Sequence, residues 1–294
     1  MCGIWLYIAK HGAYDVNTIM TSANKLKSRG PDRQCMHQLS FNNYDVYLSF
    51  YRLAIMDLST NGDQPFVLQT DTKIIYLMCN GEIYNYQYLV DKYQLRDKLK
   101  SHSDCEMLIH LYSLLGVDGL YNELMGDNVD GEFAMIIVDM ANDKSELKVH
   151  ALRDMGGVRP LYESYTENSY CYSSQLIGMP YLDSLDYCNQ FKPYSYKTMT
   201  YIGNSYTIND RVFSIRDFPV TIYDEQEALT KIHDTFTMCV EQRMIADRPI
   251  MFMCSGGLDS SLCAGIGAKF AEKHNTKINT MSIGLEGGTD EKYA

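Results

Sequence analysis

The hydrophobic pattern of this 294-residue chain changes character once, near residue 210, and that change limits what the chain can fold into. Ahead of it, apolar residues come in short runs rich in β-branched and aromatic types: GIWLYIA (3–9), VYLSFYRLAIM (46–56), KIIYLMC (73–79), EFAMIIVD (132–139) and LKVHALR (147–153). Such runs read as strands. STNGDQP (59–65) is a turn cluster. Helical spacing is confined to about 86–98 and 104–116, the latter with Leu108, Leu111, Tyr112 and Leu115 on one face. A tyrosine-rich stretch, 159–206, reads as short strands and loops. Strands with a few helices between them predict an α+β region with much antiparallel pairing.

Behind the change, 224–246 carries Leu229, Ile232, Phe236, Val240 and Met244 at helical spacing. A strand (IMFMC, 250–254), a Gly/Ser loop (SGGLDSS, 255–261), a helix near 261–273 and a strand (INTMSIG, 278–284) follow. That order is one βαβ unit and implies a parallel pair of strands. The boundary is expected near 208–222, with one domain over 2–208 and a second over 222–294.

Composition excludes several classes. Hydrophobic residues at 46% and charged ones at 21% fit a globular chain, and a net charge of -11 argues against a nucleic-acid surface. Nine cysteines, an odd count with no CxxC pair, argue against a disulfide framework or structural zinc and for reduced thiols in the cytoplasm. MCGIWLYIAK has no basic leader, and no apolar run is long enough to span a membrane.

Cys2 directly follows Met1. Removal of Met1 would leave one residue carrying a thiol and a free α-amine, a nucleophile and a base that titrate near pH 8. Taken alone, Cys2 reads as an incidental cysteine near a chain end. The rest of the chain changes that. MCGI is followed in order by SRGPD (28–32), RLAIMD (52–57), NGEIYN (80–85), SDCE (103–106) and RDMGGVRPLY (153–162). Six ordered motifs over nearly the first 200 residues closely resemble class II glutamine amidotransferases, specifically the glutaminase half of glutamine-dependent asparagine synthetase. The resemblance implies an N-terminal nucleophile hydrolase fold, an αββα sandwich of antiparallel sheets.

It also implies a glutamine pocket. Arg52 matches the arginine that clamps the substrate carboxylate, its planar fork suiting a bidentate pair; the alternative is a solvated strand residue. The Asn80 side-chain amide and the Gly81 N–H match an oxyanion hole, although Asn-Gly is also a strong hairpin signal and a tight turn would itself present the N–H. Glu82 and Asp104 match the acidic partners of the substrate ammonium; Asp104 alternatively caps the helix that follows. Leu53, Ile55 and Met56 match pocket-lining positions, and Arg29 is expected to order the loop around Cys2. The implied reaction is attack of the Cys2 thiolate on the side-chain amide, loss of ammonia from a γ-glutamyl thioester, and release of glutamate by water.

SGGLDSS lies between strand and helix, where small residues and a helix N-terminus suit a phosphate, and it lacks the GK[ST] ending of a Walker A loop. It is similar to the pyrophosphate-binding loop of adenylate-forming ATP-pyrophosphatases. The resemblance places Cys254, Ser255, Gly256, Gly257, Asp259, Ser260, Ser261 and Ile283 on the ATP side, with Asp259 as a magnesium candidate. ATP and Mg²⁺ would then activate aspartate, so the implied small molecules are glutamine, aspartate and ATP. The family continues past this point with more strands and a second glycine-rich motif, so the synthetase half is expected to be truncated, degenerate, or completed by another chain or a second copy. Glutamate without asparagine is the expected output of this chain alone. Ser174-Gln175 and Pro193-Tyr194 depart from the family's Ser-Glu and Pro-Gly, outside the pocket motifs.

Overall fold

A computed structural model describes residues 1–214 and 220–284. It separates into two units, Met1–Ile215 and Arg216–Ala294. The centre of the expected boundary, 215–219, and residues 285–294 lie outside the described residues.

The first unit is built on two six-stranded sheets. One contains β1 (Gly3–Lys10), β2 (Arg33–Phe41), β3 (Tyr44–Arg52), β8 (Tyr162–Thr166), β9 (Ser169–Ser173) and β10 (Tyr187–Gln190), in the order β10-β8-β9-β1-β3-β2. The other contains β4 (Phe66–Gln69), β5 (Lys73–Ile83), β6 (Gly131–Ala141), β7 (Leu147–Arg153), β11 (Ser195–Ile202) and β12 (Ser205–Val212), in the order β12-β11-β7-β6-β5-β4. Every pairing in both sheets is antiparallel.

The continuous apolar run of β1 follows from burial on both faces. Ile4, Leu6 and Ile8 enter the core between the sheets with Val46, Leu48 and Phe50 of β3 and Ile136 and Val138 of β6. Trp5, Tyr7 and Ala9 point the other way, under α1 (Val16–Asn24), against Ile19, Ala23 and Tyr47. Trp5 Nε1 donates to the Gly178 carbonyl at 2.8 Å, so its one polar atom is satisfied inside. Each fully buried aliphatic side chain contributes roughly 1.5–3 kcal/mol. Helices α2 (Tyr86–Lys92) and α3 (Met107–Leu124) follow β5, and α3 packs on β4 and β5. Helix, two sheets and helix make the expected αββα layering.

Local differences from expectation have local causes. The helix expected over 86–98 stops at Lys92, because Gln94 takes a left-handed φ of 53°. The helix expected over 104–116 starts later and runs to Leu124 across a break at Gly116, φ 67°. Strand β2 and helix α1 carry no strong apolar signal. β2 alternates half-buried and exposed residues beside β3, and α1 buries only Ile19, Ser22 and Ala23.

The second unit has α4 (Glu225–Gln242), β13 (Met251–Met253), α5 (Leu258–Lys273) and β14 (Asn279–Met281). β13 and β14 pair in parallel, Met251 opposite Asn279, as a βαβ crossover requires. Asp224 caps α4 by accepting from the Glu227 N–H at 2.8 Å. α4 packs against α5, and Gly267 lets α5 lie on the Phe252 ring.

Candidate active site

Cys2 stands at the start of β1, one residue before the first ladder pair, Gly3 with Tyr51. The pairing of β1 with β3 therefore carries the thiol to the end of β3. Cys2 Sγ accepts from the Leu53 N–H at 3.4 Å and donates to the Leu53 carbonyl at 3.6 Å. Burial pushes the Cys2 thiol up to about 11 and lowers the terminal amine of Met1. Arg29 Nε donates to the Cys2 carbonyl at 2.8 Å, so this arginine holds the backbone behind the nucleophile.

One cavity is lined by Cys2, Arg52, Leu53, Ile55, Met56, Gly81, Glu82 and Asp104, together with Phe50, Gly62, Gln64, Cys79, Ser103 and Cys105. Its free volume is about 30 Å³, room for about two waters. Cys2 and Asp104 are thus brought to one place from the two ends of a hundred-residue stretch.

Asn80 and Gly81 lie inside β5, opposite Ala134 and Phe133 of β6. They form no hairpin turn: the ladder continues through Ile83 opposite Gly131, and long-range pairing overrides the local dipeptide signal. A Cβ at Gly81 would collide with the Glu132 carbonyl and Phe133, so only glycine lets the strands approach there. Asn80 is 1% exposed, and its Nδ2 is a buried donor with no hydrogen-bond partner among the described residues. Such an orphan is costly unless a ligand completes it.

Asp104 is not the cap of α3. The residue preceding that helix is Glu106, which caps nothing with its side chain; Asp104 Oδ2 instead accepts from the Ile83 N–H at 2.8 Å. Burial raises the Asp104 carboxyl, and burial followed by the nearby Asp104 charge pushes Glu82 up to about 8. Two carboxyls that cannot both ionise cheaply would be relieved by a cation between them.

Arg52 is 4% exposed and not solvated. Its Nη1 donates to the Ser59 carbonyl at 2.6 Å and to Asp63 Oδ1 at 2.5 Å; its Nη2 donates to the Met56 carbonyl at 3.1 Å and to the Asp57 carbonyl. The motif RDMGGVRPLY is a self-braced loop beside this pocket. Arg153 donates to the carbonyls of Arg159, Phe191 and Gly157, Asp154 accepts from the Phe133 and Val158 N–H groups, and Arg159 pairs with Glu132 at 2.7 Å. Tyr194, at the Pro-Gly departure, takes a left-handed φ of 50°.

Sequence reasoning did not single out Gln64, Cys79, Cys105, Glu132 or Asp63. Gln64 Oε1 accepts from the Cys79 N–H at 2.6 Å, tying the turn cluster to β5, and the Cys105 thiol donates to the Gly81 carbonyl at 3.6 Å. Their signal was adjacency to the motifs: Cys79 precedes NGEIYN and Cys105 lies inside SDCE.

In the second unit, the loop from Ser255 to Gly257 joins β13 to α5. Gly256 has φ +80°, and Gly257 takes the residue before the helix. The Ser260 hydroxyl accepts from the Ser255 N–H at 3.1 Å, and the Ser261 hydroxyl donates to the Gly257 carbonyl at 2.8 Å. Cys254 N–H donates to the Met281 carbonyl at 2.8 Å, continuing the parallel ladder to the loop. Asp259 lies in the first turn of α5, and Ile283 is 88% exposed beyond β14. Among the described residues, no group of three or more His, Cys, Asp or Glu is placed to hold a metal, and no helix is long and apolar enough to cross a membrane.

The chain matches the family model of the glutamine amidotransferase domain over residues 1–232, and that of asparagine synthase over 231–294. It is 35% identical to a probable glutamine-hydrolysing asparagine synthetase of Acanthamoeba polyphaga mimivirus, over 99% of this chain and 53% of that protein. It is 34% identical to a glutamine-hydrolysing asparagine synthetase of Oryza sativa subsp. japonica, over 100% of this chain and 47% of that one. The chain spans about half the length of these relatives. Among solved structures, glutamine phosphoribosylpyrophosphate amidotransferase from B. subtilis shares the fold, with a TM-score of 0.53 and 18% identity over 96% of this chain and 65% of that one. On its sequence and on the fold that carries Cys2, this chain belongs to the glutamine amidotransferase domain family.

Proposed function

We propose that the first unit hydrolyses glutamine to glutamate and ammonia at Cys2. The second unit is the beginning of the domain that spends the ammonia on ATP-dependent amidation of aspartate to asparagine. The observation that carries this reading is the convergence of Cys2, Arg52, Gly81, Glu82 and Asp104 on one cavity; Asn80, next in the chain to the lining Gly81, adds a buried amide donor with no partner among the described residues.

The roles follow from the chemistry of free glutamine. Its carboxylate calls for Arg52, and its ammonium for Glu82 and Asp104, whose raised carboxyls ionise more readily when a cation joins them. The amide lies against Leu53, Ile55 and Met56. A thiol held near 11 is neutral at physiological pH and needs a base at hand. Removal of Met1 would supply it as the α-amine of Cys2. The amine takes the thiol proton as sulfur attacks the amide carbon, and the oxyanion is met by Asn80 Nδ2 and the Gly81 N–H. The proton passes to the leaving nitrogen, ammonia departs, and water attacks the thioester to release glutamate and restore the thiol.

For ATP, the residues present fit a phosphate. No hydrogen bond among the described residues takes up the Gly256 or Gly257 N–H, and both lie at the N-terminus of α5. ATP would supply activation of the aspartate carboxylate. Cys254, Ser255, Gly256, Gly257, Ser260 and Ser261 would hold its phosphates and Ile283 would meet the base. Asp259, which belongs to no metal-holding group of three or more His, Cys, Asp or Glu among the described residues, would reach Mg²⁺ alongside phosphate and water oxygens. Nine free cysteines favour a reducing, cytoplasmic setting.

The experiment incubates the purified chain with glutamine, aspartate and ATP-magnesium and measures glutamate, asparagine and AMP separately. Glutamate release that is lost in a folded Cys2→Ala protein supports the glutaminase. Full release by that variant overturns it. Asparagine and AMP read the second unit, and asparagine formed at the rate of glutamate release would overturn the expectation that this chain alone yields only glutamate.

A further inference from the structure

Asp63 lies in the turn cluster and in none of the six ordered motifs, yet it pairs with Arg52, the arginine matched to the substrate carboxylate. Its Oδ1 is 2.5 Å from Arg52 Nη1, and its Oδ2 is 3.3 Å from Arg33 Nη1. A guanidinium has five N–H donors. Here both Nη nitrogens are occupied, Nη1 by the Ser59 carbonyl and Asp63, Nη2 by the Met56 and Asp57 carbonyls. The turn that supplies these carbonyls closes directly over the guanidinium, and at Gly62 a Cβ would strike Arg52 Nη2. A substrate carboxylate forms a two-pronged pair with Arg52 only if an acceptor gives way.

The acceptors are not equally able to leave. The three carbonyls belong to the backbone of the turn, and the Asp57 carboxylate braces that turn by accepting from the Ser59 N–H at 3.0 Å and the His102 N–H at 3.1 Å. Asp63 is the only one of the four that reaches Arg52 through a rotatable side chain. It also has a second cation, Arg33, whose side chain is 38% exposed, to receive it on release. Both Asp63 and the α-carboxylate of glutamine are carboxylates, so the exchange swaps like for like at one arm of the fork.

We propose that Asp63 is a specificity-determining residue of the glutamine site, a resident carboxylate that competes with the α-carboxylate of the substrate for Arg52. This rests on the glutamine reading given above and adds to it. Asp63 weakens the advantage of a free α-carboxylate, so the pocket separates glutamine from carboxyl-capped amides less sharply than the same pocket would without it.

The test is binding, read apart from turnover. Calorimetry compares glutamine and glutamine α-methyl ester on the full chain carrying Cys2→Ala, with and without Asp63→Ala. Asp63→Asn, which keeps an acceptor oxygen and removes the charge, serves as the second variant, and thermal melting checks that each is folded. The expected result is a glutamine Kd lowered about fivefold by Asp63→Ala, less by Asp63→Asn, with the ester Kd unchanged within about twofold. The glutamine-to-ester preference therefore widens. An unchanged preference overturns the proposal alone, as does an equal loss of both ligands, which would show that Asp63 merely keeps Arg52 in place. Failure of the Cys2→Ala parent to bind glutamine at all overturns it together with the reading on which it rests.

Discussion

Around Cys2, the cavity gathers residues 2, 52, 81, 82 and 104 from the residue ahead of β1, from β3 and β5, and from the segment before α3; in the second unit, the loop from Ser255 to Ser261 is one uninterrupted run of sequence. The first arrangement exists only when two sheets have closed on each other, and its polar groups are buried: Arg52 at 4%, Asn80 at 1%, Asp104 at 4% exposed. The second needs only a strand, a turn and the first turn of a helix, and it sits on a two-stranded sheet whose β14 has three exposed residues. The difference is between a site made by tertiary packing and one made by local backbone geometry. A packed site perturbs its ionisable groups, as Cys2 and Glu82 show.

The largest expected effect is at the nucleophile. Cys2→Ala should lower glutamate release by about 10⁴-fold or more, with the melting temperature moved by no more than about 2 °C, because Cys2 lies at the margin of the core. A stopped assay for glutamate and a thermal melt check both. Next is Asn80→Ala, expected to lower kcat about 10²-fold with a smaller change in KM, the mark of a donor that acts on the developing oxyanion. A larger rise in KM than fall in kcat would place Asn80 on ground-state binding instead.

Glu82→Gln sharpens the contrast through pH. The Glu82 carboxyl is raised from 4.5 to about 8 in the fold, so the folded chain holds a proton that the unfolded chain loses between those values. Its favourable contribution is complete below pH 4.5 and is lost as pH rises through about 8. Because Asp104 is close, the loss belongs to the pair. The variant should melt like the parent near pH 4.5 and roughly 2–4 °C above it at pH 8, while its KM for glutamine rises. Melts at both pH values decide it: a parent and variant that stay together at pH 8 would show that the carboxyl is not strained.

The smallest effect on glutamine chemistry belongs to Gly256→Val. A side chain at φ +80° is strained by about 1–2 kcal/mol, and the loop geometry that offers the N–H groups is lost. ATP binding, followed by calorimetry, should fall, while glutamate release stays within about twofold. A parallel loss of glutamate release would break the separation of the two sites.

Sequence carried most of the site and less of its wiring. Cys2, Arg52, Asn80, Gly81, Glu82 and Asp104 stood out because they lie in ordered motifs, and Arg29 behaves as expected, bonding the Cys2 carbonyl. Two local signals pointed elsewhere. Asn80-Gly81 spelled a turn and Asp104 a helix cap; pairing of β5 with β6 and the Ile83 N–H settled both otherwise. Asp63 was invisible because its importance is a distance to Arg52, not a pattern.

What the sequence by itself determined is the division of the chain into a strand-rich region and a βαβ unit, since hydrophobic period and glycine-rich loops are local properties. It also determined that β1 is buried on both sides, since seven consecutive apolar residues leave it no polar face. Only the tertiary structure decided that the turn after β3 closes over Arg52, that Asp63 shares it with Arg33, and that Glu82 and Asp104 lie close enough to perturb each other. Those relations join positions 4 to 30 residues apart, and their strength depends on distance and on water excluded by the packed sheets, neither of which is written in the order of the residues.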